Sequence, residues 1–238
     1  MSGIARIQAR IEERNTLAQS NLDSKEFWIR DGDQIFFSSV GDGKEGDPYV
    51  SEITLVTYRD GNRWTNVYLK DKSTFEEVAR ALNIPEDTRP SNRFALWAYV
   101  YDALHVEKKS DDWEAIEGPN GKTLYKQEVN DYKIIALPFG RGGYLWSQLV
   151  DIFEDWGTLN KGVIRVKRHG KGLDTTYSLA ATSRTKKEVD MDTSDLVSIE
   201  DYYSNRYGPD KQLNPQVFGN SKDQTTPKKS DETLDLFE

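Results

Sequence analysis

The chain has no cysteine in 238 residues. Disulfides and thiolate metal centres are therefore excluded. Its only two histidines, His105 and His169, lie far apart in sequence, so no histidine metal set is expected and neither is a cofactor. With no Cys and two His, no Ser–His–Asp or Cys–His nucleophile arrangement can be assembled. There is no uninterrupted apolar run of about 18 residues, the length a membrane-spanning helix needs. The amphipathic opening MSGIARIQARIEERN has no apolar h-region and does not read as a secretory signal. These absences together predict a soluble protein of cytoplasmic type.

Charge is plentiful but unevenly placed. The formal net charge is −8, yet Lys161–Lys187 carries eight Lys/Arg (161, 165, 167, 168, 171, 184, 186, 187) against one acid, Asp174. The stretch Asp231–Glu238, DETLDLFE, has four acids, no base and three large apolar side chains. A local basic strand pair suits a polyanion whatever the net charge of the whole. An acidic tip carrying Leu234, Leu236 and Phe237 suits a protein partner.

Periodicity predicts a helix over 4–20, with Ile4, Ile7 and Ile11 on one stripe and Arg6, Arg10 and Arg14 beside it. Strands are expected over 27–40 and 49–70, with a turn at Asp60-Gly61 where positive φ is tolerated. Ser73-Thr74-Phe75-Glu76 reads as a capping box opening a helix to about Asn83. The clearest strand is 93–104, with Phe94, Leu96, Ala98 and Val100 on one face and Arg93, Trp97, Tyr99 and Tyr101 on the other. A polar loop over 107–122, strands over 123–129 and 131–137, a helix over 144–156, a hairpin over 162–180 and a short helix near 195–206 follow. From Gly208 onward the composition is too polar to order itself. The expected division is an N-terminal helical arm (1–22), a core (23–207) and a disordered acidic tail (208–238). Many short strands with few helices predict a mainly β fold, most economically a Greek-key barrel of the OB type.

Two groups of side chains carry the functional reading. Trp97, Tyr99 and Tyr101, with Trp64 on the preceding hairpin, form a stacking set, since every nucleobase has a π face. The alternative is that both faces of 93–101 are buried and the aromatics build a second core. Arg165 and Lys167 alternate with Ile164 and Val166, so two cations share a solvent face. Arg168 and Lys171 lie at the turn, and Arg59, Arg63, Arg93 and Arg141 supplement them. Gly121-Lys122-Thr123 lacks the first glycine of a phosphate-binding loop, and Gly140-Arg141-Gly142 lacks the third small residue of a dinucleotide fingerprint. Asp102 and Glu107-Lys108-Lys109 follow the order of metal-dependent nucleases at a short spacing.

The segments RFALWAYVY (93–101), YLWSQLVDIFEDWG (144–157) and GVIRVKRHGKGLDTTY (162–177) resemble, in that order, bacteriophage single-stranded DNA-binding proteins of the T4 helix-destabilising type. The resemblance spans about residues 27–180. It implies an OB-fold core holding single-stranded DNA, and self-association through an N-terminal arm. It further implies recruitment of replication and recombination proteins by an acidic tail: Asp231, Glu232, Leu234, Asp235, Leu236, Phe237 and Glu238. The setting it implies is phage DNA replication, recombination and repair in the host bacterial cytoplasm. That family carries a zinc site with Cys ligands before the strand equivalent to 93–101. Here the region has neither Cys nor His, and Phe75, Val78, Ala79 and Leu82 are expected to pack in its place. The rival readings are a Mg²⁺-dependent nuclease and a phage structural or assembly protein.

Overall fold

The computed structural model describes residues 25–61, 63–118, 121–139, 144–170, 174–186 and 193–213. Strands β1 (Gln34–Ser39), β2 (Val50–Asp60), β3 (Arg63–Leu69), β4 (Ser91–His105), β5 (Glu114–Glu117), β6 (Thr123–Pro138), β7 (Ile164–His169) and β8 (Thr176–Ala181) form one antiparallel sheet. The helices are α1 (Phe75–Ala81), α2 (Tyr144–Trp156), α3 (Ile199–Tyr207) and α4 (Pro209–Leu213).

β4 organises the sheet. β6 pairs with it from Arg93 to His105 along one edge. The other edge is shared, with β2 on the first half (Ser91–Leu96) and β1 on the second (Ala98–Leu104). β3 continues from β2, β7 and β8 continue from β1, and β5 flanks β6. Among the described residues β3, β5 and β8 each pair on one side only, so the sheet is not closed into a barrel.

The inner face of the sheet is apolar because the sequence alternates. Phe94, Leu96, Ala98 and Val100 point inward with Ile35, Phe37, Ile135, Ile164 and Val166. α2 lays Leu145, Leu149 and Ile152 on them, as its helical spacing predicts. Each such side chain, fully buried, contributes about 1.5–3 kcal/mol. The alternation then reverses. Tyr101 is a bulge residue with no partner on either neighbouring strand, so Val100 and Ala103 both face the core. One extra residue moves all later side chains to the opposite face. Tyr101, Asp102 and Leu104 thus continue the outer face begun by Trp97 and Tyr99.

That outer face has its own cover. α3 sets Ile199, Tyr202 and Tyr203 on Ile53, Leu55, Tyr68, Ala95, Trp97 and Ile134. Ser198 caps α3, accepting a hydrogen bond from the Asp201 N–H at 3.0 Å. α1 covers the reverse face of the β2–β3 hairpin, where Phe75, Val78, Ala79 and Leu82 pack on Val56, Tyr58, Val67, Leu69 and Ile84.

Four local expectations need correction. The side-chain cap is Asp71, whose carboxylate accepts from the Ser73 N–H at 2.8 Å at the start of a 3₁₀ turn (Lys72–Thr74), while Thr74, at the N-cap of α1, makes no side-chain capping bond. The polar region 107–122 contains strand β5. Residues 123–137 form one strand, in which Asn130, at φ 44°, absorbs the irregularity opposite the Tyr101 bulge. Helix α4 lies beyond residue 207, inside the expected tail. The N-terminal arm with Arg6, Arg10 and Arg14, and the tail tip 231–238, lie outside the described residues.

Candidate nucleic-acid interface

The β2–β3 hairpin places its outer-face residues by register. Leu55 faces Tyr68, Thr57 faces Asn66, and Arg59 faces Trp64. Directly opposed residues of an antiparallel pair share a face, so these six continue the surface on which α3 sits. Tyr68 meets Tyr203 of α3, with ring centroids 6.0 Å apart. Toward the tip the helix no longer reaches. Trp64 is 74% exposed, and Arg59 opposite it is open to solvent. The turn that brings them together uses Gly61 at φ 57°, with Asp60 paired to Arg63. The Arg63 side chain lies outside the described residues.

A second open indole enters from the segment preceding β1. Residues 25–27 run alongside β6: Ile134 N–H donates to the Lys25 carbonyl at 2.6 Å, and Phe27 N–H to the Ile134 carbonyl at 2.9 Å. Lys25 reaches Asp131 at 3.5 Å, and Lys133 reaches the same carboxylate at 2.8 Å. Burial pushes the Asp131 carboxyl up, but the Lys133 hydrogen bond and the two cations outweigh it and leave it below the ordinary carboxylate value. Trp28, held at the end of this segment, is 66% exposed and shares a cavity with Asn66 and Arg93. Sequence patterning had not singled out Trp28, because it stands alone in an irregular stretch.

Of the four aromatics expected to stack, Trp64 alone presents a mostly open ring. Trp97 is 2% exposed beneath α3, edge-on to Tyr202. Tyr101 is buried. Ser38 Oγ donates to the Gly162 carbonyl at 2.8 Å, so the Tyr101 hydroxyl, 3.0 Å away, is the donor to Ser38. For Trp97 and Tyr101 the second-core alternative therefore describes their surroundings. Tyr99 is half-buried, edge-on to Tyr101 and Tyr132 at 5.1 and 5.3 Å.

The basic hairpin β7–β8 divides its cations between two tasks. Ile164 and Val166 are buried, while Arg165 faces Phe36 and Ala180, and Lys167 faces Gln34 and Ser178. Arg165 is exposed and Lys167 half-exposed on the outer face. Arg168 is turned inward to the fold. Its guanidinium donates to the Ile29 carbonyl at 2.8 Å and to Thr175 Oγ1 at 3.3 Å, fastening the segment before β1. Arg184 was not among the expected contacts. It lies 3.5 Å from the centre of the Phe36 ring and donates to Asp102 at 2.6 Å. Arg141 and Lys171 lie outside the described residues.

The nuclease-like carboxylates are otherwise engaged. Asp102 faces Arg184, and Glu107 lies 3.9 Å from Lys109. Among the described residues no group of three or more His, Asp or Glu side chains is placed to hold a metal ion. Gly121-Lys122-Thr123 leads into strand β6, not a helix. No described helix is long and apolar enough to cross a membrane.

No protein-family model and no curated protein sequence matches the chain.

Proposed function

We propose that this protein binds single-stranded DNA without catalysis, protecting strands in phage DNA replication, recombination and repair. The observation that carries the reading is Trp64. A tryptophan three-quarters exposed and directly opposite an open arginine, on a face otherwise packed with aromatics, offers stacking and a phosphate contact side by side. Trp28 and Arg93 extend that surface, and Arg165 and Lys167 supply cations farther along the same sheet face. The OB-type, Greek-key description belongs to the same proposal, supported by the β-rich architecture and the resemblance of three segments.

Titration with oligo-dT at low salt, followed by tryptophan fluorescence, tests the reading. Quenching that reverses with added salt is the expected result, and no binding at any salt concentration defeats it. In the same reading the acidic tip recruits replication and recombination proteins, and the N-terminal arm supports self-association along the strand. Deleting 231–238 then leaves DNA binding intact or strengthens it while removing partner capture.

A further inference from the structure

We propose that Arg184 binds a backbone phosphodiester of the bound strand, next to the phosphate met by Arg165, an inference that rests on the single-strand reading. The segment after β8 folds back over the outer face of the sheet and is pinned there. Thr182 donates its N–H and its hydroxyl to the Val163 carbonyl, both at 2.9 Å, and Lys186 Nζ donates to the Asn160 carbonyl at 2.9 Å. Between these ties Arg184 crosses the Phe36 ring and meets Asp102. Phe36 stands directly opposite Arg165 on β7 and Asp102 on β4. Adjacent strands lie about 4.8 Å apart, so Arg165, Phe36 and Asp102 form one row across the face, with the Arg184 guanidinium over its middle.

This arginine is both held and open. The Phe36 ring and the Asp102 carboxylate fix its guanidinium, yet its side chain is 44% exposed while that of Asp102 is 11% exposed. A guanidinium has five N–H donors. Among the described residues the Arg184 side chain makes one hydrogen bond, from Nη1 to Asp102. Arg168 is the contrast, with its donors spent on Ile29 and Thr175 inside the fold. At Arg184 donors remain for a ligand arriving from solvent.

Charge and cover narrow the choice of ligand. Asp102 balances one of the two arginines, and Lys126 and Glu128, which border the same hollow, pair with each other at 3.5 Å. Among the described residues no acid lies within ion-pair distance of Arg165, so one positive charge is left over. A base is neutral, and its ring cannot lie on Phe36, which is 7% exposed beneath Arg184. A phosphodiester carries one negative charge and presents oxygens suited to a guanidinium fork. Successive phosphates of one strand can meet Arg184 and Arg165 in turn.

The test uses the full chain and oligo-dT. Arg184→Ala should reduce the slope of log K against log salt by about 0.7, and the double variant with Arg165→Ala by about 1.4, the values for one and two phosphate contacts on a single strand. Arg184→Lys, which keeps the charge, should retain the slope. A lower melting temperature for Arg184→Ala with an unchanged slope overturns the proposal, because the arginine then serves Asp102 alone. Should Arg184→Ala fail to fold, the wild-type chain decides. Phenylglyoxal, which modifies accessible guanidinium groups, should label Arg184 several-fold less under saturating oligo-dT, read by peptide mass spectrometry. Arg80, exposed on α1, should be labelled equally with and without the oligonucleotide. Equal labelling of Arg184 overturns the proposal, as does equal protection by inorganic phosphate at the same phosphate concentration. Failure of oligo-dT to bind the wild-type chain at any salt concentration overturns the underlying reading instead.

Discussion

The indole N–H of Trp97 donates to the main-chain carbonyl of Val197, 2.9 Å away across one hundred residues of chain. The bond ties the central strand to the residues leading into α3. Replacing Trp97 with Phe removes the donor and part of the buried ring. A stability loss of about 1–3 kcal/mol is expected in urea unfolding. Oligo-dT affinity measured well below the transition should stay within about twofold, a change of about 0.4 kcal/mol, because the ring is buried beneath α3 and is not open to a base. Normal stability with collapsed binding would place Trp97 against the DNA.

Trp64 should behave in the opposite way. Its ring is mostly in water, so Trp64→Ala should shift stability by no more than about 0.5 kcal/mol. Oligonucleotide affinity should fall by about 1–3 kcal/mol, the worth of one stacked base. A parallel titration and denaturation of the same variant separates the two effects.

Salt dependence separates the cations of the basic hairpin. Arg165→Ala and Lys167→Ala should each reduce the slope of log K against log salt by about 0.7, the value for one phosphate contact on a single strand. Arg168→Ala should leave that slope unchanged. It should instead cost about 1.5–3 kcal/mol of stability, because its charged donors hold the Ile29 carbonyl and Thr175. Binding isotherms at several salt concentrations, set beside thermal melts, distinguish these outcomes.

Alkali should loosen α3. Burial raises the Tyr207 phenol to about 12, with the Glu26 carboxylate adding to the shift and Arg206 opposing it. A phenol whose folded value exceeds its unfolded value of 10.0 stabilises the fold fully below that pH. The contribution is lost as pH climbs toward the folded value. Tyr203, buried beside Glu26, shifts in the same direction. Phenolate absorbance should rise above pH 10 together with a change in tryptophan fluorescence as Trp97 loses its cover. A fluorescence signal flat through that window would show that α3 is held by other contacts.

Local chemistry was readable in the sequence wherever one residue's environment was set by its neighbours in the chain. The β2–β3 turn follows from Asp60-Gly61, the apolar stripe of α2 from its spacing, and the inward face of β7 from Ile164 and Val166. What escaped depended on distant segments. The fate of Trp97 turned on whether α3, a hundred residues later, would cover it, and α3 is a polar helix whose buried Tyr202 and Tyr203 give a weak periodic signal. The role of Arg168 turned on the Ile29 carbonyl, and that of Arg184 on Phe36 and Asp102, partners that charge counting cannot supply. The Tyr101 bulge was hidden because an inserted residue in a strand looks like any other alternating position. Trp28 had no neighbours of its kind and was visible only once the segment 25–28 was seated beside β6.

Because β4 is bordered by β6 throughout and by β2 and β1 in turn, it works as a ruler. The hairpin-tip surface is anchored near its first residues and the Arg165–Lys167 surface near its last. The distance between them is set by a count of residues in a hydrogen-bonded strand, at about 3.3 Å each, and not by a flexible loop. A ligand that touches both surfaces is thus measured against a fixed length. Inserting or deleting a pair of residues in β4 would change that gauge while preserving which side each later side chain faces.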